Sequence, residues 1–535
     1  MAAVTWFFNR SLIGIDDANI YMVYMRNFAE GHGFVFNTGS ERVEGFTSLL
    51  WTLIGAAFYI ITPQPEWLFL ALNCVLQVAA LWKIVQYTER KITDTKRRRT
   101  ALLLFFGMLA VIPGYFEWSL LSYLETGLWS VLLIFTTLTL TEEIASEKIT
   151  AVSWKFNGLI ILLLLCRPES ILWAPLFILL RSLVLFSPRK IHAWPALLVS
   201  VCTYALTLIA LLAWRRSYFG YPFPNTYYAK VTADHLQNFK QGLYYMLQYV
   251  FYNPFILAVL AGGLLLVKKS GVKKASDAAI FLVVILFACA IPFYVGGDHF
   301  AYFRFIQPVT PLIWLLFILL FATQIPNAKW ERAGAIVFLL FASFTSRNNY
   351  VENLMTGQNP MKIEFDLARN GRSNCSRLND FFDKLDKLPV QGVIPAGGTA
   401  YAYHGKTIDL LGLNDTRIAH APKTGLRGLP KGHETFNKTL FYALKPDIFW
   451  MYGGFLPDAD SAKRISNIHI PPFTVLVTQG LYKDAEFRRR YSLVFIRKRD
   501  VPDVLCIYAS NDFLKTLDQE QYTFDVFKGA LIEQD

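Results

Sequence analysis

The apolar positions of this chain fall into two regimes. From 46 to 347 they form long, nearly unbroken runs, and from 348 to 535 they come in short stretches between polar loops. A spanning helix needs about 20 mostly apolar residues, with a range of about 17–25. Runs of that kind predict helices at 67–87, 100–116, 121–140, 194–214, 244–267, 277–295, 307–323 and 332–347. A shorter pair, 154–166 and 171–187, is interrupted by Arg167-Pro168-Glu169, and 46–62 is assigned to the interface. Ahead of these runs, Ala18 to Glu30 has helical spacing and stops at Gly31-His32-Gly33. Beyond 348, apolar stretches predict strands at Thr407 to Leu413, Pro446 to Tyr452, Thr474 to Val477 and Ser492 to Ile496.

The pattern predicts a polytopic α-helical membrane domain over 1–347. About 10–11 transmembrane helices are expected at the usual spanning length. A soluble α/β domain follows over 348–535, long enough to bury its own core.

Composition agrees: only 17% of residues are charged, against about 25% in soluble proteins. The net charge of +12 sits largely in short loops: Lys96 to Arg99, Arg189 and Lys190, then Lys268, Lys269, Lys273 and Lys274. That is the positive-inside pattern of a membrane protein, and it argues against nucleic acid as a partner. Placing Lys96 to Arg99 in the cytoplasm puts everything before Glu66 outside, and the C-terminal domain with it. The outer segments are then Asp16–Thr47, Glu117–Glu125, Arg167–Glu169, Arg215–Gln241 and Gly296–Arg304. Residues 1–15 are too short to cross a membrane and do not read as a cleavable signal, so a start outside or a true start upstream is expected. Four of the six cysteines lie in apolar runs; Cys375 and Cys506 lie in the soluble region, where an outer location would permit pairing. The chain has neither a P-loop nor a GxGxxG after a strand, which argues against a nucleotide-sugar enzyme.

Asp16 and Asp17 are the first candidates for chemistry. In a helix starting there, Asp17, Tyr21, Tyr24 and Phe28 share a face. The acids admit two readings. Asp16 caps the helix while Asp17 favours its positive end, or one carboxylate takes a proton from an acceptor hydroxyl while the other positions it or binds a cation. Adjacent like charges also shift each other's pKa, a common feature of catalytic sites.

Four segments in order, DDAN…RNFAEGHGFVFN…ERVEGFTSLLW, PNTYYAK, GGDHFAYFRFIQPVTPL and IDLLGLND, resemble the bacterial GT-C membrane glycosyltransferases, in particular the AftB-like arabinofuranosyltransferases. The resemblance implies a GT-C-type fold, a polyprenyl-phosphate sugar donor, inverting transfer, and an acidic base in the first outer loop. That role falls on Asp17 first and Asp16 second. The family has an aromatic residue two positions after the second acid, where this chain has Asn19, and a complete helix before the acids. A phosphate leaving group calls for cations. The candidates are Arg167, Lys230, His299 and Arg304, against plain readings as interfacial or loop residues. Glu44 is a candidate for acceptor or sugar-hydroxyl binding, against a helix-start acid, and Asp298 for sugar hydroxyls, against a turn residue. Glu125 and Glu169 are outer-edge acids of the same kind. Tyr227 and Tyr228 are candidates for sugar stacking, against an aromatic belt.

The expected activity is a multi-pass inner-membrane glycosyltransferase that moves a sugar, arabinofuranose by the resemblance, to an envelope glycan, lipid or glycoprotein. A carboxylate pair suits a divalent ion, but no complete ligand set accompanies it. Two rivals stand beside this reading. A lipid or polysaccharide transporter predicts charges deep in helices and an internal repeat, and a non-catalytic assembly protein predicts dispensable acids.

Overall fold

The computed structural model describes residues 12–145, 152–185, 194–230, 235–270, 277–324, 328–347, 360–422 and 432–533. The segment 1–11 and the basic residues 189–190 and 273–274 lie outside the described residues. The chain forms two compact units. The first comprises Met1–Gly14, Thr47–Pro222 and Thr232–Ile363; the second comprises Ile15–Phe46, Phe223–Val231 and Glu364–Asp535.

The first unit is helical. Among the described residues, Glu66–Lys91, Trp194–Phe219 and Asp277–Val295 are long and apolar enough to cross a membrane, and a bent pair makes up to four. Shorter apolar helices include Leu49–Ile61 and Trp154–Cys166. The helix Glu66–Lys91 shows why lipid is its solvent. Val75, Val78 and Trp82 are exposed, whereas the polar Asn73 and Gln77 are buried. Asn73 donates to the Leu120 carbonyl at 3.3 Å and Gln77 to the Gly127 carbonyl at 3.1 Å. Apolar groups outward and polar groups inward, bonded to neighbouring segments, is the arrangement hydrocarbon requires. A fully buried arginine follows the same rule: Arg181 donates to Glu143 and to Ser200, each at 2.8 Å.

One expected span is broken and another starts late. The run 244–267 becomes His235–Tyr252 and Phe255–Ser270, bent by 92°. Pro254 at the break supplies no N–H and disfavours helix at the residue before it. The run 121–140 starts late, at Thr126, because Glu117–Leu121 is a π-helical turn and Tyr123 follows with φ +59°. The shorter pair is as expected, with Arg167-Pro168-Glu169 joining Trp154–Cys166 to Ser170–Leu185.

The second unit is α/β. Its six-stranded sheet runs in the order β2 (Thr407–Asp409), β1 (Gln391–Val393), β3 (Ile448–Leu456), β6 (Val504–Ser510), β5 (Tyr491–Lys498), β7 (Tyr522–Val526), and β4 (Asn467–Ile470) pairs separately with β8 (Ala530–Glu533). In the six-stranded sheet the β2–β1–β3 pairs are parallel and the remainder antiparallel. Side chains alternate between two buried clusters. Leu505, Ile507 and Ala509 of β6 enter one, and Val504, Cys506 and Tyr508 enter the other. Cys375 belongs to the first and Cys506 to the second, so the sheet separates them and both thiols are free. That corrects the pairing the sequence permitted. The strand expected over Thr474 to Val477 is instead the helix Pro472–Val477. Pro472 at its first position has the φ a helix needs and lacks the N–H a central strand would use.

Candidate active site

In the second unit, the helix Asp16–Ala29 begins with both acids in its first turn, and Ile15 is its N-cap with no side-chain bond. Asp16 therefore does not cap its own helix. Its carboxylate, 7% exposed, accepts the Gly397 N–H on Oδ2 at 3.0 Å and the Gly398 N–H on Oδ1 at 2.8 Å. Burial pushes its pKa up to about 6, against the pull of the two amides and with a further rise from Asp17. Asp17 is placed differently. Its side chain is 26% exposed, and Lys230 Nζ stands 3.5 Å from Oδ2.

Lys230 closes the short helix Asn225–Lys230, the PNTYYAK segment. That segment is held by its first residue. Asn225 donates through Nδ2 to the carbonyls of Gly412 at 2.8 Å and Leu413 at 3.0 Å, and its N–H bonds the Glu44 carbonyl at 2.9 Å. Gly412 and Leu413 lie in IDLLGLND. There Asp409 folds the turn by accepting from Leu411 N–H at 3.0 Å and from Asn414 N–H and Nδ2 at 3.0 and 2.9 Å. Burial pushes Asp409 up to about 6. Asn414 in turn receives the Tyr24 hydroxyl at 3.0 Å. Three of the four motif segments are thus tied into one framework. Glu44 is buried at 2% exposure. Tyr227, 37% exposed, lies edge-on to Tyr228, whose ring sits 4.2 Å from His420.

The first unit holds the remaining candidates. Arg167 donates to Glu169 through Nε at 3.0 Å and Nη2 at 2.7 Å, and to Glu125 through Nη1 at 2.5 Å. Burial pushes Glu169 up, but Arg167 and more weakly Arg304 overcome it, leaving the carboxyl below its ordinary range. Arg304 pairs with Asp298 at 2.7 Å and lies over the Phe300 ring at 4.4 Å and the Trp118 ring at 5.6 Å. His299 stacks on Phe300 and stands 3.7 Å from Asp298. The loop that carries Arg304 is strained: Tyr302 and Phe303 have φ of +59° and +55°, in the left-handed region costly for such residues. Arg167, Glu169 and Arg304 border one cavity of about 430 Å³, counted with its open mouth, whose other walls include Trp129, Trp173 and Phe305.

No family model and no curated protein matches the chain. Solved structures do. The apo oligosaccharyltransferase of Archaeoglobus fulgidus is similar at 11% identity, over 96% of this chain and 74% of that one, with a TM-score of 0.50. The chain has a GT-C-type membrane fold. At that identity the likeness establishes the GT-C fold alone. The same archaeal enzyme, with an inhibitory peptide and a dolichol-phosphate, matches at 12% identity over 96% and 72%, with a TM-score of 0.48. ArnT from Cupriavidus metallidurans in the apo state matches at 12% over 96% and 97%, with a TM-score of 0.47. In the zinc and sulfate complex of the archaeal enzyme, at 13% identity and a TM-score of 0.43, 74% of this chain spans only 58% of that chain.

Within this GT-C fold, several partners of the candidates were not singled out from sequence. Gly397 and Gly398 bind Asp16, Asn414 binds Tyr24, and Arg372 donates to Asn19 at 2.6 Å. The adjacent glycines were the one local signal, since paired glycines often mark close backbone approach.

Proposed function

We propose that the protein is an integral membrane glycosyltransferase. It moves a sugar from a polyprenyl-phosphate donor to an envelope glycan, lipid or glycoprotein at the outer face of the bacterial inner membrane, with its α/β domain outside. Arabinofuranose is the sugar favoured by the sequence resemblance. The observation that carries the reading is the convergence of Arg167 and Arg304 on one cavity, each held by carboxylates. Two guanidiniums fixed before the reaction suit a phosphate on which charge develops.

Asp17 acts as the general base. It takes the proton from the acceptor hydroxyl as that oxygen bonds to the anomeric carbon. The bond from that carbon to the phosphate oxygen breaks with inversion, and its electron pair leaves on the polyprenyl phosphate. Arg167 and Arg304 bind that anion, Asp298 orients Arg304, and Lys230 holds the Asp17 carboxylate in place. Tyr227 is assigned to sugar stacking. His299 and Glu44 are assigned to the walls of the donor and acceptor sites respectively.

A divalent ion bridging the two acids does not fit these residues. Both Asp16 oxygens already accept amide hydrogens, and an ammonium stands beside Asp17. Among the described residues, no three His, Cys, Asp or Glu are grouped to hold a metal.

Membranes carrying wild type or Asp17→Asn, supplied with a panel of polyprenyl-phosphate sugars, test the reading. Transfer from one donor, lost in the variant at equal protein level, is expected. Absence of transfer from every donor by wild type would sink it, and equal transfer by the variant would remove Asp17 as base.

A further inference from the structure

We propose that Asp16 is a positioning residue: its carboxylate straps the first turn of the helix Asp16–Ala29 to Gly397 and Gly398, and thereby fixes the direction of Asp17. The inference rests on the reading of Asp17 as base.

Successive helical residues point about 100° apart. Two adjacent carboxylates therefore cannot face one acceptor equally. The structure gives them different surroundings: Asp16 is engaged through both oxygens by main-chain N–H groups, and Asp17 faces Lys230.

The strap depends on both glycines. A Cβ on Gly397 would lie 1.8 Å from the Asp16 carbonyl oxygen, and one on Gly398 would lie 2.2 Å from the Ala368 carbonyl oxygen. Any side chain there would push the helix away or displace the turn.

Two further contacts fall on the same stripe. Arg372 Nε donates to Asn19 Oδ1 at 2.6 Å, and its guanidinium lies 3.8 Å from the Tyr401 ring centroid. Arg26 donates to the Tyr401 carbonyl at 3.0 Å. At about 100° per residue, positions 16, 19 and 26 fall within about 80° of one another, and position 17 points about 150° away from their mean direction. The helix is thus clamped along one side, and the clamp holds Asp17 on the other. Misplacing a reacting group by about 1 Å costs up to about a hundredfold in rate, even when the change lies away from the chemistry.

The test combines transfer kinetics with amide hydrogen exchange on the full-length protein in detergent. Asp16→Ala is expected to lower kcat by about ten- to a hundredfold and to move either KM by less than about threefold. Asp16→Asn, which keeps one acceptor oxygen, should recover part of that loss. Gly397→Ala should match Asp16→Ala, and the double variant should be no slower than either alone, because both break one contact. Exchange at the Gly397 and Gly398 amides, slow in wild type, should accelerate in Asp16→Ala.

Additive losses, or an Asp16→Asn variant as inactive as Asp17→Asn with these amides still protected, would make Asp16 catalytic and overturn the proposal. Unchanged exchange in Asp16→Ala would remove the strap itself. If wild type transfers no sugar while the amides respond as expected, the glycosyltransfer reading falls and takes the catalytic role of the strap with it, leaving the contact alone.

Discussion

Lys230 Nζ stands 3.5 Å from Asp17 Oδ2, joining the PNTYYAK segment to the paired acids near the start of the described chain. Both side chains are partly open to solvent, so the pair adds little to stability. Its value is then in orientation. Asp17→Asn is expected to reduce transfer by about 10²–10⁴-fold, the usual contribution of a general base. Lys230→Met should reduce it less and leave the thermal midpoint unchanged. Equal activity of Lys230→Met and wild type would show that the ammonium does not serve the carboxylate.

Arg167 is held more tightly, by Glu125 and Glu169. The side chains are 13%, 3% and 18% exposed, so removing the cation strands two buried anions. Arg167→Ala should cost about 3–5 kcal/mol of stability, together with donor turnover. Arg304→Lys keeps a charge near Asp298 but loses the guanidinium that lies over the Phe300 and Trp118 rings. It should fold normally and turn over donor about tenfold or more slowly. Unfolding curves of both variants, paired with donor kinetics, check the difference. An Arg304→Lys enzyme with wild-type kinetics would exclude a bidentate role.

The local features were legible wherever one periodicity ruled a segment. The helix from Asp16, the span Asp277–Val295 and the turn at Arg167 follow directly from apolar spacing and from Pro and Gly punctuation. The bend at Pro254 and the helix from Pro472 depart from apolar spacing because proline overrides it: Pro254 lies inside the run 244–267, and Pro472 starts a helix two residues ahead of Thr474. The partners of the candidates were illegible for another reason. Asp16 meets Gly397, and Tyr24 meets Asn414, across nearly four hundred residues. Nothing local to Asp16 distinguishes a carboxylate that receives distant amides from one that caps its own helix. Burial decides that, and burial is a property of the assembled fold.

Asp16 also sets a pH dependence of stability. Its folded pKa is raised from 3.8 to about 6, chiefly by burial. The folded state therefore holds the proton more tightly than the unfolded one. The stabilising contribution is fully present below 3.8 and is lost as pH rises through about 6. The loss amounts to at most about 3 kcal/mol. Asp409 shifts in the same direction. Wild type should lose stability from about pH 4 to about pH 7, and Asp16→Asn should lose distinctly less, retaining the share of Asp409. Thermal unfolding across that range measures both slopes; parallel slopes would place the Asp16 carboxyl in a more solvated setting than the structure gives.

Gly45 tests the framework that joins three motifs. Its N–H donates to the Tyr24 hydroxyl at 3.2 Å, and a Cβ there would lie 1.9 Å from Asn414 Oδ1 and 2.6 Å from the Tyr24 hydroxyl. Overpacking of this kind costs about 1–3 kcal/mol. Here it would also displace Asn414 from Asp409, whose bonds shape the turn that holds Asn225. Gly45→Ala is therefore expected to lower the unfolding midpoint and to reduce transfer through the displaced Asn225–Lys230 helix. Gly31→Ala is the matched control. Its φ of +84° strains an alanine, but nothing lies within 4 Å of the added carbon. It should cost about 1–2 kcal/mol through backbone strain and leave kcat near wild type. If the two variants prove equally active at equal loss of stability, the Tyr24–Asn414 contact is packing alone and does not transmit position to Lys230.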